Sequence, residues 1–323
     1  MRSNKRLSKK VVELVNSEQW ERAASKVVPI LRKNIFDIST PKIIKQSHEE
    51  EAVLLLSDIH TGMINRHPLT GEVTYNDEIR SKEYVYLRDS ISSVKGLLDK
   101  SFNMRNLHIF CLGDIVTNDR IFEGQKFEIS CGIGEQIWVA VRDLTNFIGE
   151  MKKLFITVHF EGVIGNHGRT FPDYQTEPVQ NNFEYHLYRI LQMVFANDKR
   201  VKITVPETAT HSVDIRGHKY YMSHGNNIRG LSRNALERSV KDILVALPEG
   251  FDIYTIGHLH RCENMDLNEN SMLLINGCWI KADCFGYEVF KQFSNPRQWF
   301  FGVSDKRPIT WWYRLGLQAP EKK

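Results

Sequence analysis

Hydrophobic and polar positions follow two different periods along this chain. Short apolar runs at 52–57, 107–112 and 251–256 predict buried strands, and a weaker run at 158–164 predicts another. Further strands are expected at 201–205, 213–216, 219–223 and 272–275. Between them, apolar residues recur at helical spacing. Residues 77–100 form one such stretch, and Ile137, Val141, Leu144 and Ile148 mark a second within 134–151. Phe183, Leu187, Ile190, Leu191 and Val194 mark a third, and Leu236, Val240, Ile243, Leu244 and Leu247 a fourth. Near the N-terminus, Val11, Leu14, Val15, Trp20, Ala23, Ala24, Val27 and Leu31 predict one or two helices across 7–34, with Pro29 as a bend or as the start of a second piece.

Strands alternating with helices, then a strand-rich second half, predict an α/β fold: two sheets packed as a sandwich with flanking helices, preceded by N-terminal helices. The chain divides into a basic helical segment and linker at 1–48, a main domain at 49–285, and aromatic C-terminal strands at 286–323 that pack on it or cap it.

Composition narrows the class. A chain of 323 residues, 41% hydrophobic and 25% charged, can bury a core without disulfides. No run approaches the length of a transmembrane helix, and no apolar core follows the basic N-terminus, so neither a membrane nor a secretory signal is expected. Cys111, Cys131, Cys262, Cys278 and Cys284 form no CxxC pair and are odd in number, which suits free thiols in a cytoplasmic setting, the host's if the gene is viral. A net charge of +4 neither marks nor excludes a nucleic-acid binder.

Five short motifs carry the chemistry: Asp58-Ile59-His60, Gly113-Asp114, Gly165-Asn166-His167, His224-Gly225 and Gly257-His258-Leu259-His260. Each follows or closes an apolar run, so the side chains should converge at the C-terminal edge of a sheet. On an extended strand end Asp58 and His60 would point one way and Ile59 into the core, and the same holds for His258 and His260 around Leu259. Glycine beside a ligand allows a sharp turn or a close approach. Carboxylate, imidazole and amide donors suit manganese, iron or catalytic zinc rather than a thiolate-rich structural site. The other histidines, His48, His67, His108, His159, His186, His211 and His218, are read as surface or satisfied interior residues.

On these motifs the chain resembles the calcineurin-like metallophosphoesterases over roughly residues 52–280. The resemblance implies two mixed sheets packed face to face and two divalent metal ions. It implies that Asp58, His60 and His260 hold the first ion, that Asp114 bridges both, and that Asn166, His224 and His258 hold the second. His167 would face the substrate phosphate as the catalytic residue. Two adjacent cations would acidify a water between them and stabilise an in-line phosphoryl transition state.

The segments after Asp114 and Asn166 lack the longer signatures of the protein phosphatases. The general run of the sequence is similar to the DNA repair exonuclease (SbcD-type) branch and its bacterial or viral relatives. That implies a manganese-dependent nuclease with DNA as substrate; a phosphatase or phosphodiesterase for nucleotides, cyclic nucleotides or another small phosphoester is the alternative. Gly168 stands where the family usually has an acidic residue, and the C-terminal region is shorter, which counts against a partner ATPase. Arg169, Arg229 and Arg120 are candidate phosphate contacts. The segment 117–133 could shape substrate access. Arg297, Trp299, Phe300, Phe301, Trp311 and Trp312 could offer a stacking platform, or form core. A homodimer is the default oligomer.

Overall fold

Alternation sorts the side chains of β1 (His48–Leu56) onto two faces. Ala52, Leu54 and Leu56 join one hydrophobic cluster, while Val53 and Leu55 join another. The computed structural model describes residues 17–32, 35, 38–42, 48–172, 177–228, 233–247, 249–283, 286–287, 293 and 295–318. Within them β1 pairs in parallel with β4 (Phe102–Cys111), β4 with β5 (Thr157–Gly162), and β5 with β6 (Val201–Thr204). On the other side of β1, β12 (Arg297–Val303) and β13 (Trp312–Gly316) add antiparallel, completing a six-stranded sheet.

A second, five-stranded sheet has the order β10 (Glu263–Asp266), β11 (Met272–Ile275), β9 (Ile253–Ile256), β8 (His218–Ser223), β7 (Thr210–Ile215). Its central pairs β11–β9 and β8–β9 are parallel. Val53, Leu55, Phe110 and Leu112 from the first sheet meet Ile215, Tyr220, Met222 and Leu274 from the second, so the two mixed sheets pack face to face. A small hairpin joins β2 (Asn65–Arg66) to β3 (Val73–Tyr75).

Helices cover the outer faces. The first sheet is covered by α2 (Asp77–Leu98), α3 (Ile133–Leu154) and α4 (Phe183–Phe195), the second by α5 (Arg233–Ala246) through Leu236 and Val240. Asn76 caps α2 by accepting the Ile79 N–H at 2.9 Å, which fixes where that helix begins. The N-terminal α1 (Ser17–Arg32) runs through Pro29 as one piece, where the sequence suggested a bend or a restart. Its end is anchored: Arg32 donates to the Val194 and Met193 carbonyls at the end of α4. The stretch 7–16 of the expected helical segment lies outside the described residues.

The aromatic C-terminal strands are mostly core. Trp299, Phe300 and Phe301 are buried in β12, leaving Trp312 and Tyr313 exposed on β13. No described helix is long and apolar enough to cross a membrane.

Candidate metal centre

All five motifs emerge just beyond the C-terminal ends of parallel-paired strands: β1, β4 and β5 in one sheet, β8 and β9 in the other. The structure corrects the extended geometry expected for the paired ligands. Asp58 and His60 have φ of 53° and 49°, His258 and His260 of 64° and 53°, and Asp114 of 53°. Beyond β1 the chain follows the loop after β4. Asp58 N–H donates to the Gly113 carbonyl and His60 N–H to the Asp114 carbonyl, both at 3.0 Å. Ile59 and Leu259 are buried between the ligands, as the alternation predicted. Left-handed backbone at a non-glycine residue costs about 1–2 kcal/mol, and such residues cluster where function requires them.

Two glycines are required by close approach. A Cβ on Gly165 would lie 2.2 Å from the Asp114 backbone nitrogen and Oδ1, and one on Gly257 would lie 2.6 Å from Asp58 Oδ2. Substitution at either would push the ligand loops apart.

The donor atoms gather in linked groups. Donors of Asp58, His60 and His260 lie within 4.8 Å of one another, as do those of Asp114, His224 and His258. A third group, His60, Asp114 and His167, joins the other two. His224 Nδ1 faces the Leu112 carbonyl at 2.7 Å, so Nε2 points into the site, 2.9 Å from Asp114 Oδ2 and 2.8 Å from Asn166 Oδ1. His260 Nδ1 faces Asp283 at 2.6 Å, which turns Nε2 toward His60 Nε2 at 3.2 Å and Asp58 Oδ1 at 3.5 Å. Among the described residues His60 Nδ1 is buried without a hydrogen-bond partner. Two carboxylates, four imidazoles and an amide oxygen aimed inward fit a pair of divalent cations better than they fit one another.

Electrostatics point the same way. Burial alone pushes imidazole pKa values down, and His258 falls to about 3 with the His224 charge beside it. His60 is also held low, by burial and His167. Burial acts on His224 too, but Asp114 outweighs it and raises His224 to about 9. Asp114 is itself buried, and His224 holds its pKa well below the usual carboxylate value. A proton on His224 thus occupies the place between three donor atoms that a cation would take, so metal binding there must release it.

His167 sits at the rim. Its backbone N–H donates to Asp114 Oδ1 at 2.8 Å, and its ring stands edge-on to His60 with centroids 4.5 Å apart. Nδ1 faces the Thr117 carbonyl at 2.8 Å, leaving Nε2 for the site. The segment after Asp114 packs on it: Gln125 contacts Nδ1 and the exposed Phe122 ring lies 4.9 Å away.

Several positioning residues escaped sequence reading. Glu184, buried at the start of α4, accepts the backbone N–H groups of Asp114, Ile115, Val116 and Gly165 and so ties two ligand loops together. Burial and the Asp114 charge push its pKa up to about 7, against the pull of those N–H groups. A glutamate in the first turn of a helix ordinarily reads as a solvated dipole partner, so no local signal distinguished it. Asp283, which orients His260, follows no motif. Asn182, the cap of α4, fills the space beside Gly168, where an added Cβ would lie 2.1 Å from Asn182 Oδ1. The acidic side chain that the resembled family usually carries there has no room.

The candidate phosphate contacts fall in three places. Arg169 is buried, its Nε donating to the Asn166 carbonyl at 2.7 Å. Arg120 is exposed and paired with Asp119 at 2.6 Å. Arg229 lies outside the described residues.

Neither family models nor curated proteins match the sequence. Among solved structures the chain is similar to vacuolar protein sorting 29 from Cryptosporidium parvum, at 12% identity and TM-score 0.36 over 79% of this chain and 86% of that one. It is similar to a Streptococcus pneumoniae TIGR4 protein described as a predicted phosphoesterase, at 9% identity and TM-score 0.34 over 82% and 98%. A 5'-nucleotidase from Candida albicans SC5314 overlaps at 12% identity and TM-score 0.31, over 81% of this chain and 48% of that one. Overlaps this loose carry no argument about chemistry, which rests on the donor geometry.

Proposed function

We propose that the chain is a metal-dependent phosphoester hydrolase of the calcineurin-like type, and that its substrate is a phosphodiester of DNA. The observation that carries the reading is the meeting of two donor groups at Asp114, which shares one group with His60 and His167 and another with His224 and His258. Asp58, His60 and His260 would hold one divalent ion, Asn166, His224 and His258 the other, with Asp114 between them. When bound, such a pair lowers the pKa of water and neutralises charge on a phosphoryl group.

The chain's own residues supply the rest. His167 Nδ1 donates to the Thr117 carbonyl, so Nε2 faces the site. Only as the imidazolium, with a second proton on Nε2, would the ring give a proton to the leaving oxygen or a hydrogen bond to the developing charge, returning to the neutral Nδ1–H form. Burial lowers the His167 pKa and the Asp114 charge counters it in part, so the second proton is weakly held and readily given up once the negative charge of a bound phosphate has placed it there. The loop after Asp114 presents exposed Phe122 and Phe127, with Lys126 over the Phe127 ring at 5.1 Å and exposed Arg120 nearby in the chain. Aromatic faces interleaved with cations suit a base and its phosphate, and this supports a substrate that carries nucleobases, a nucleic acid or a nucleotide, over a phosphoester without a base.

The test is a manganese-dependent assay on labelled single- and double-stranded DNA, RNA, cyclic nucleotides and bis(p-nitrophenyl) phosphate, with Asp114→Ala as control. Cleavage of DNA that weakens steeply with salt and vanishes in Asp114→Ala is expected. Turnover of a mononucleotide with no attack on any polymer would replace DNA by a small phosphoester, and an undiminished Asp114→Ala variant would remove the hydrolase reading.

A further inference from the structure

Between the two sheets, toward the end of the sandwich away from the motifs, the apolar packing is interrupted by a cluster of titratable groups. His108 on β4 and His159 on β5 are direct neighbours in the parallel register, with ring centroids 4.8 Å apart. Glu161 lies two positions further along β5, on the same face. Its register partner is Phe110, a member of the inter-sheet core. Donor atoms of His108, His159 and Glu161 all lie within 4.8 Å of one another. His108 precedes Asp114 by roughly 20 Å of chain at the usual strand rise, and Phe110, the register partner of Glu161, by roughly 13 Å, so this cluster is not part of the motif centre.

Two features distinguish it from an ordinary buried polar network. Glu161 is 4% exposed, and among the described residues its Oε2 has no hydrogen-bond partner. His108 Nδ1 is likewise buried without one. Each such group left unsatisfied destabilises the fold, since its hydration is lost and nothing replaces it. The other His108 nitrogen, Nε2, is held by Glu51 Oε2 at 2.7 Å. A carboxylate on one imidazole nitrogen, with the other nitrogen left to ligate, is the arrangement seen around metal-ligating histidines.

We infer that His108, His159 and Glu161 form a further divalent-cation site of the zinc type, with Glu51 orienting His108. Two imidazoles and one carboxylate are a recurrent zinc set with one position left open. Donors around a tetrahedral zinc sit roughly 3.3 Å apart given bond lengths near 2 Å, so the three side chains must close in. His159 is only half-buried and has room to do so. Two cations face the cluster. Arg216 is taken up by Glu51 at 3.7 Å and Asp305 at 2.7 Å, and Lys202, beside His159 on β6, is exposed. Burial and the His108 charge hold His159 near 4, so its ring is neutral, as a ligand must be. Burial also lifts Glu161 to about 7, a proton that an ion would displace. The bound ion would clip β4 to β5 and, through Glu51, to β1.

The experiment uses the full chain, stripped with a chelator, loaded with Zn2+, dialysed, and assayed for zinc per chain by elemental analysis. Glu161→Gln and His159→Ala are each expected to hold one equivalent fewer than the wild type, with unchanged phosphodiester turnover and a smaller rise of thermal midpoint on adding Zn2+. Because His159 is half-exposed, its replacement tests the site even if the buried Glu161 variant fails to fold. A difference is counted, so the result stands whatever the motif centre binds. Zinc content equal to that of the wild type in a folded His159→Ala protein would overturn the site.

Discussion

The molecule carries two clusters of histidine and carboxylate, and they are built in opposite ways. In the motif centre the donors stand on loops past strand ends, on left-handed backbone, with glycines where the loops touch. In the inter-sheet cluster the donors stand on regular strands and meet only through register, His108 against His159. Loops past strand ends can aim several consecutive residues at one point, at the cost of strained backbone. Strands aim every second residue at one face without strain, but each contributes only one or two donors, so several strands must cooperate.

The contrast can be broken by substitution, and the largest effect should separate reaction from scaffold. His167→Ala is expected to keep the metal content of the motif centre and lower turnover by about 10²–10⁴-fold, the usual contribution of a positioned proton donor. His159→Ala should leave turnover where it was. Matched kinetics and metal analysis on the two variants would show this, and equal losses of turnover in both would erase the division.

A smaller effect concerns the residue that aims a ligand. Asp283 holds His260 Nδ1 at 2.6 Å and also accepts the Gly286 N–H. Asp283→Asn should weaken metal binding at the motif centre by about 10–100-fold, as loss of such carboxylates does elsewhere. Titration with Mn2+ would read it, and unaltered affinity would mean that the loop backbone alone sets the ring.

The smallest effect is on stability, at a buried carboxyl that belongs to neither cluster. Burial lifts Glu83 to about 8, with Gln318 donating to Oε1 at 2.9 Å and opposing the shift. The folded state keeps a proton that the unfolded chain releases near 4.5. Stability therefore falls as pH rises from about 4.5 toward 8. Glu83→Gln removes that dependence, so its thermal midpoint should gain on the wild type progressively from pH 5 to pH 8. A constant difference across that range would assign the proton elsewhere.

What could be read in the sequence follows from the same contrast. The convergence of the motif residues is legible because each loop writes its donors side by side, as in Asp58-Ile59-His60 and His258-Leu259-His260. The helices and most strands are legible because their periodicity is local. The left-handed turns were not, since an Asp-x-His at a strand end has the same letters whether it is extended or curled. Glu184 and Asp283 act on loops distant in sequence, and only the fold brings them there. His108 and His159 read as surface or satisfied interior residues because their partners lie on neighbouring strands. The aromatic run at Trp299–Phe301 permitted either core or platform, and its place in β12 between β1 and β13 makes it core.

The central claim is that Asp58, His60, Asp114, Asn166, His224, His258 and His260 together hold two divalent ions. Anomalous diffraction at the manganese edge, from crystals of the full chain grown in Mn2+, tests it most directly. Two peaks are expected, one among Asp58, His60 and His260 and one among Asn166, His224 and His258, with Asp114 between them. Saturating Mn2+ that leaves no peak among these residues would contradict it.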